Sequence, residues 1–365
     1  MSNTIKEQIL QKTDGLLNYL DNLKTNESVR FSDEEVKAIL EKEEKNAKTN
    51  YDNAIIKFME TNNQSRPAKV KRLAVYWGYP GAGKSVMTQK LIDRFAHDED
   101  CLPFNIIDKD NHRDLFPHLF EYLKGGHIDE CERFAGVTID YVRTILDLSL
   151  AAGKRSVLSI GSMGAGGDFN NNALKAIHYG YKPCAIYMAV PQEIAYLSNI
   201  YRSATLYDQI IFHNKQLYPR LVSREYFGRV VQMLPSMIDK INTFQKQHPQ
   251  NVDLMVLNRR NELLYDSRLP HLDNVQEVIF KEEHRLLRPD EVITINMQLH
   301  KIEQNMRYRY DNDIYAPCKS EVDAAKMAVS DIDKLVRENY HGETLFNEAN
   351  NNQAIMMKRA SGFER

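Results

Sequence analysis

Apolar positions recur along the chain with two periods, and the switch between them divides the sequence. From residue 3 to 24, Ile5, Ile9, Leu10, Leu16, Leu17 and Leu20 fall at helical spacing, interrupted only by Gly15. Ser32-Asp33-Glu34-Glu35 carries the residues of a capping box, with Ser32 as N-cap and Glu35 at N3. The helix it opens holds Val36, Ile39 and Leu40, turns strongly charged, and is expected to continue through Ala54, Ile55, Ile56 and Phe58. Thr61 to Lys71 is polar, contains Pro67 and reads as a linker. This front section is either a helical cap on the core or a partner-binding arm, and composition does not decide between them.

From Arg72 onward short apolar runs alternate with helical patterns, the signature of a parallel sheet. The predicted strands are Leu73–Trp77, Phe104–Ile107, Ser156–Ile160 and Pro183–Ala189. Between them lie helical patterns at Val86–Ile92, Thr138–Ala152 (closed by Gly153 as a C-cap) and Asn172–His178. Arginine-rich helix and loop run from Glu193 to Lys246, and Leu254–Leu257 with Leu263–Tyr265 form a terminal hairpin. After Pro289 the pattern is helical to a frayed end. The predicted organisation is a helical region over 1–66, an α/β core over 67–270 and a helical region over 271–365.

One stretch gives this pattern a chemistry. Gly78-Tyr79-Pro80-Gly81-Ala82-Gly83-Lys84-Ser85 fits the phosphate-binding loop G-x-x-x-x-G-K-[ST] without mismatch. A chain this long would contain such a match by chance on the order of once in a hundred, and the strand before and helix after make chance rarer still. The glycines let consecutive N–H groups turn toward a phosphate, and the helix N-terminus adds its partial positive charge. Lys84 is then placed for the β- and γ-phosphates and the Ser85 hydroxyl for Mg²⁺. The site is therefore expected to take ATP or GTP with Mg²⁺.

Composition adds exclusions. A net charge of −2 leaves no electrostatic footprint for nucleic acid or an anionic membrane, and no segment approaches 18 apolar residues. Met1 to Leu20 lacks a continuous apolar run, so no secretory leader is expected. Cys101, Cys131, Cys184 and Cys318 are scattered without a C-x-x-C pair, which argues against zinc or a disulfide framework. The expected setting is a reducing, cytoplasmic one, with delivery as an effector into another cell compatible with it.

Phosphoryl transfer also needs a base for the acceptor and cations for the moving charge. Asp108-Lys109-Asp110 follows the second strand, at the sheet end where open α/β proteins place their chemistry. Asp110 is the preferred base and Asp108 the second choice, against the plainer reading of a helix cap beside a solvated carboxylate. Arg113 follows at once. Arg202, Arg220 and Arg224 are candidate cations, although isolated arginines in a polar stretch are usually solvated. Gly161 and Ser162, opening the glycine-rich loop after the third strand, are candidate substrate contacts, the alternative being a surface turn.

The order of these motifs resembles the zeta-toxin family of bacterial P-loop kinases. The resemblance rests on Gly78 to Ser85, on Ile107-Asp108-Lys109-Asp110 with Arg113 and Pro117, and on Gly153 to Ser162. It continues in Ala189-Val190-Pro191 with Tyr196 to Arg202, in Arg220 with Leu234-Pro235, and in the hairpin Leu257-Asn258-Arg259-Arg260 and Leu264-Tyr265-Asp266. It covers about residues 31 to 305. It implies a P-loop NTPase-type parallel sheet flanked by helices, with transfer of the γ-phosphate to a hydroxyl of a small nucleotide-type metabolite, often UDP-N-acetylglucosamine. Asp110 then matches the base, Lys84 and Ser85 the phosphate and metal contacts, and Arg202 and Arg220 the cations closing on the γ-phosphate. A small helical antitoxin is the implied partner. Where sugar-nucleotide kinases of the family carry E-G-T-x-R, this chain has Ile160-Gly161-Ser162-Met163-Gly164. The acceptor is therefore expected to be changed or relaxed, NAD being one candidate. The competing reading is a nucleotide-binding switch with a decayed acceptor site.

Overall fold

The computed structural model describes residues 5–25, 32–64, 66–108, 131–161, 167–213, 221–270, 274–312 and 316–339. Its centre is a six-stranded sheet in the order β2-β3-β1-β4-β5-β6. The strands are β1 (Arg72–Gly78), β2 (Phe104–Asp108), β3 (Ser156–Ile160), β4 (Lys182–Ala189), β5 (Asp253–Asn258) and β6 (Leu263–Asp266). The first five run parallel and β6 turns back antiparallel on β5, as the alternating pattern and the terminal hairpin predict. β1 and β5 are buried along their whole length, so their unbroken apolar runs fit strands covered on both faces.

The described helices are α1 (Ile5–Asn22), α2 (Asp33–Gln64), α3 (Lys84–Glu99), α4 (Cys131–Ala152) and α5 (Phe169–His178). They continue with α6 (Gln192–His213), α7 (Arg224–Gln247), α8 (Val275–Glu283), α9 (Pro289–Asp311) and α10 (Lys319–Asn339). Gly15 does not interrupt α1: the roughly 1 kcal/mol that a helical glycine costs is outweighed by burial of Ile9, Leu16 and Leu20 on the same helix. The capping box at α2 forms as expected: Ser32 N–H donates to Glu35 Oε2 at 2.8 Å, and Glu35 N–H to Ser32 Oγ at 3.2 Å. That helix runs further than its apolar pattern suggests, converting Thr61–Gln64 from expected linker to helix. The extension has a tertiary cause: Asn62 is buried and accepts from Asn105 Nδ2 of β2 at 3.2 Å.

At the sheet end opposite the strands' C-termini, Arg72 Nη1 pairs with Asp253 Oδ2 at 2.9 Å, both buried. Cys101, Cys184 and Cys318 are buried free thiols. No helix among the described residues is long and apolar enough to cross a membrane.

The terminal helices cooperate. α6 packs against α9 and α10, and α1 lies chiefly on α10 and then α9. Ile9, Leu16 and Leu20 of α1 are buried there. Polar contacts fix its register: Thr13 Oγ1 donates to Asp333 Oδ1 at 2.7 Å, and Arg337 reaches Asp14 at 3.0 Å. The front helix thus behaves as a cap on the C-terminal layer. Leu16→Ala should lower the free energy of unfolding by about 2–5 kcal/mol, measured by urea melts; a loss within error would mean that α1 is a detachable arm.

Candidate phosphate-binding site

Gly78, Gly81 and Gly83 all take positive φ, at 155°, 81° and 100°. At Gly81 the requirement is steric as well as conformational. A Cβ there would lie 2.0 Å from the Ala195 carbonyl oxygen and 2.8 Å from the Asn199 nitrogen, both on the backbone of α6. The loop is therefore seated directly on that helix. Ala82 N–H donates to the Tyr79 carbonyl at 3.1 Å, and Val86 and Met87 N–H both reach the Gly83 carbonyl, at 3.1 and 3.2 Å, to start α3. The first N–H groups of a helix have no acceptor within it, and with its dipole they make the anion site expected of this loop. Lys84 Nζ lies back across the loop and donates to the Gly78 and Tyr79 carbonyls at 3.1 and 2.8 Å.

The site is assembled at the C-terminal end of the parallel strands. Gly161, immediately after β3, donates its N–H to the Tyr76 carbonyl at 3.0 Å and so sits beside the strand that feeds the loop. Asp108 ends β2, opposite Ile160 of β3, and its side chain is buried. Arg202 lies on α6 one turn beyond the Gly81 contact, where its Nη2 donates to Asn199 Oδ1 at 3.2 Å. Asn199, wholly buried, in turn donates to the Val222 carbonyl at 3.2 Å. Lys84 and Ser85 thus end the loop, Gly161 abuts the strand that feeds it, Arg202 lies on the helix that Gly81 rests on, and Asp108 ends the strand two places away in the sheet. Asp110, Arg113, Ser162 and Arg220 lie outside the described residues. Arg224 has a different place: its guanidinium pairs with Asp331 of α10 at 2.6 Å and stacks over Tyr196, so it joins helices.

The donor set fits a metal held by a nucleotide. Ser85 is exposed on the first turn of α3, and no cluster of three His, Cys, Asp or Glu side chains suited to a metal occurs among the described residues. Mg²⁺ commonly takes one or two protein oxygens and draws its remaining ligands from phosphate and water. Ser85 would hold it, and the ion would supply charge neutralisation on the phosphates.

One partner of the loop gave no signal in the sequence. Glu283, at the end of α8, accepts from Tyr79 of the loop at 3.1 Å and from Tyr187 of β4 at 2.5 Å. Within Lys281-Glu282-Glu283 it looks like an ordinary surface carboxylate. Burial raises its pKa from 4.5 to about 7, against the two tyrosine hydrogen bonds and with Glu193 of α6 and neighbouring Glu282 adding to the rise. Burial also raises both tyrosine hydroxyls, so they remain donors. The folded carboxyl holds its proton where the unfolded one has lost it. Its contribution to stability is then fully present below about 4.5 and is lost as pH rises through about 7. Glu283→Gln should remove this fall, giving flatter urea-melt stability between about pH 5 and pH 8; parallel pH profiles for variant and wild type would refute the assignment.

With the geometry in place, three comparisons bear on kinship. Among solved structures, the chain is similar to one reported as "Molecular and structural characterization of the PezAT chromosomal toxin-antitoxin system of the human pathogen Streptococcus pneumoniae". The TM-score is 0.53 at 15% identity, over 70% of this chain and 96% of that one. A complex of AvrRxo1-ORF1 with AvrRxo1-ORF2 and ATP aligns at a TM-score of 0.45 and 11% identity, over 84% of this chain and 97% of that one. No curated protein sequence matches. The sequence profile of the family described as Zeta toxin matches residues 57–270, a span that takes in the phosphate loop, Asp108, Gly161, Arg202 and the β5–β6 hairpin. That span is more than half of the chain, and the sheet order and loop geometry agree with it: the chain belongs to the zeta toxin family, a family of kinase-type phosphotransferases.

Proposed function

We propose that this chain is a kinase that transfers the γ-phosphate of ATP, or of GTP, to a hydroxyl of a small nucleotide-type metabolite, and that it acts as a toxin. The observation that carries the reading is the seating of Gly81 on α6, because the same helix carries Arg202. A protein that only bound nucleotide would need the loop but no arginine helix built into it. In this reading Lys84 neutralises the β- and γ-phosphates, Ser85 holds Mg²⁺, and Arg202 with Arg220 stabilises charge on the transferring group. Asp110 takes the proton of the acceptor hydroxyl. Asp108, Arg113, Gly161 and Ser162 form the acceptor side.

The acceptor is the part that departs from the sugar-nucleotide kinases. Ile160 is buried in β3 beside Tyr76 and Asp108, so its side chain offers no hydrogen bond to a ligand. A site without a designed polar partner discriminates poorly for the group that partner would hold. UDP-N-acetylglucosamine is accordingly the weaker candidate, and an NAD-like dinucleotide is one alternative acceptor. A helical antitoxin is the proposed partner, supported by similarity to a structure reported for a toxin–antitoxin system.

The test is turnover of ATP and Mg²⁺ with UDP-N-acetylglucosamine, with NAD and with a metabolite extract, scored by mass gain of one HPO₃. Lys84→Ala should abolish transfer and weaken ATP binding. Asp110→Asn should keep ATP affinity and slow transfer by about a hundredfold or more. Unchanged turnover in Lys84→Ala would sink the kinase assignment. Efficient phosphorylation of UDP-N-acetylglucosamine would show that Ile160 does not set acceptor choice, and ATP binding without turnover of any metabolite would favour a nucleotide-binding switch.

A further inference from the structure

The turn between β5 and β6 is fastened to the phosphate-loop helix. Asn258, fully buried, accepts the N–H groups of Arg260 and Glu262 through Oδ1, each at 3.0 Å. Arg94 of α3 donates to the Asn261 carbonyl at 2.9 Å, tying the turn to the helix that Lys84 begins. Held this way, the turn places Arg259 against the last glycine of the loop. A Cβ built on Gly83 would meet Arg259 Nε at 3.4 Å and its Cγ at 3.7 Å. Arg259 Nη2 donates to Ser198 Oγ of α6 at 3.0 Å, and Gln298 Nε2 of α9 donates to the same hydroxyl at 3.1 Å.

Three arginines near the turn are paired with carboxylates. Arg260 pairs with Asp290, Arg285 with Glu282 and Glu291, and Arg288 with Glu262 and Glu282. Among the described residues Arg259 makes no ion pair, and its hydrogen-bond partner is a neutral hydroxyl. Glu291, the carboxylate that acts on it electrostatically, is gripped by both terminal nitrogens of Arg285, at 2.7 and 2.6 Å. Burial lowers the pKa of Arg259 from its ordinary value. A guanidinium partly withdrawn from water on a fixed turn loses hydration that one hydroxyl does not replace. An anion at the loop would replace it.

We propose that Arg259 is a further phosphate-contacting residue, its guanidinium binding oxygens of the triphosphate held by Gly78–Ser85. The proposal rests on the phosphate-loop reading above. The planar fork of donors suits phosphate, and the position at Gly83 is reached from the β5–β6 turn, a different element from the helix that carries Arg202. Nothing in the spacing of the sequence singles it out, because Arg259 and Arg260 look alike until the fold gives Asp290 to one and the loop to the other.

The test compares the full chain with Arg259→Met, which keeps an unbranched apolar stem, and Arg259→Lys. Thermal melts without nucleotide are paired with calorimetric titration of ATP and of inorganic triphosphate, both with Mg²⁺. The Met variant should melt at or above the wild-type temperature, since it removes a half-buried charge that has no carboxylate among the described residues. It should bind both ligands about tenfold to a hundredfold more weakly, and the Lys variant should recover part of the loss. Unchanged ATP affinity would overturn the proposal, as would a loss confined to ATP, which would place the contact on the nucleoside. A clear fall in apo melting temperature with unchanged affinity would make Arg259 a structural tie. A wild-type chain binding neither ligand would overturn the phosphate-loop reading itself, and this contact with it.

Discussion

The absence of a side chain at Gly81 is the constraint on which the rest of the site depends. The loop backbone and the backbone of α6 approach closely enough that even one carbon would collide with a carbonyl oxygen. Two elements that would otherwise be joined through adaptable side chains are joined through main chain. The relative position of the phosphate cradle and Arg202 is therefore set by backbone geometry, the stiffest part of the protein. Asn199 extends the arrangement, taking Arg202 on one side and the chain after residue 221 on the other.

A helix placed so tightly on one side needs support on the other, and the C-terminal helices supply it. Asn305 of α9 donates to the Ala204 carbonyl and to Asp208 of α6, at 3.1 and 2.7 Å. Gln298 meets Ser198, and Arg309 stacks on Tyr207 while pairing bidentately with Glu321 of α10 at 3.0 and 2.8 Å. That last pair is buried, where loss of either partner would strand a charge, so α9 and α10 are committed to one packing. The region after Pro289 is remote from the phosphate loop in sequence, yet it forms the back wall of the arginine helix.

How much of this was legible in the sequence follows from the range of each interaction. The sheet was readable because strands covered on both faces are mostly apolar, and the phosphate loop because its glycines answer a local backbone demand. The cap at Ser32 was readable because both halves of the exchange lie within four residues. The end of α2 was not, since Thr61–Gln64 is polar and becomes helical through a contact to Asn105 on another element. Glu283 and Arg259 were equally hidden. Each is one charged residue beside another, and only long-range packing assigns one to ion pairs and the other to the loop. Arg224 shows the reverse case, a plausible ligand cation that the fold gives to Asp331.

The sheet's two margins carry a consequence of their own. β2, at one margin, has five residues, and β6, at the other, has four and comes from a tight hairpin. Neither offers the long, flat ladder of unpaired N–H and C=O groups that recruits a strand from another molecule. On the β2 side α2 closes in further, through Asn62 and the stacking of Tyr51 on Tyr141. α2, expected from its sequence to be either a cap on the core or a partner-binding arm, is thus anchored beside the margin at which a strand from another molecule would have to add.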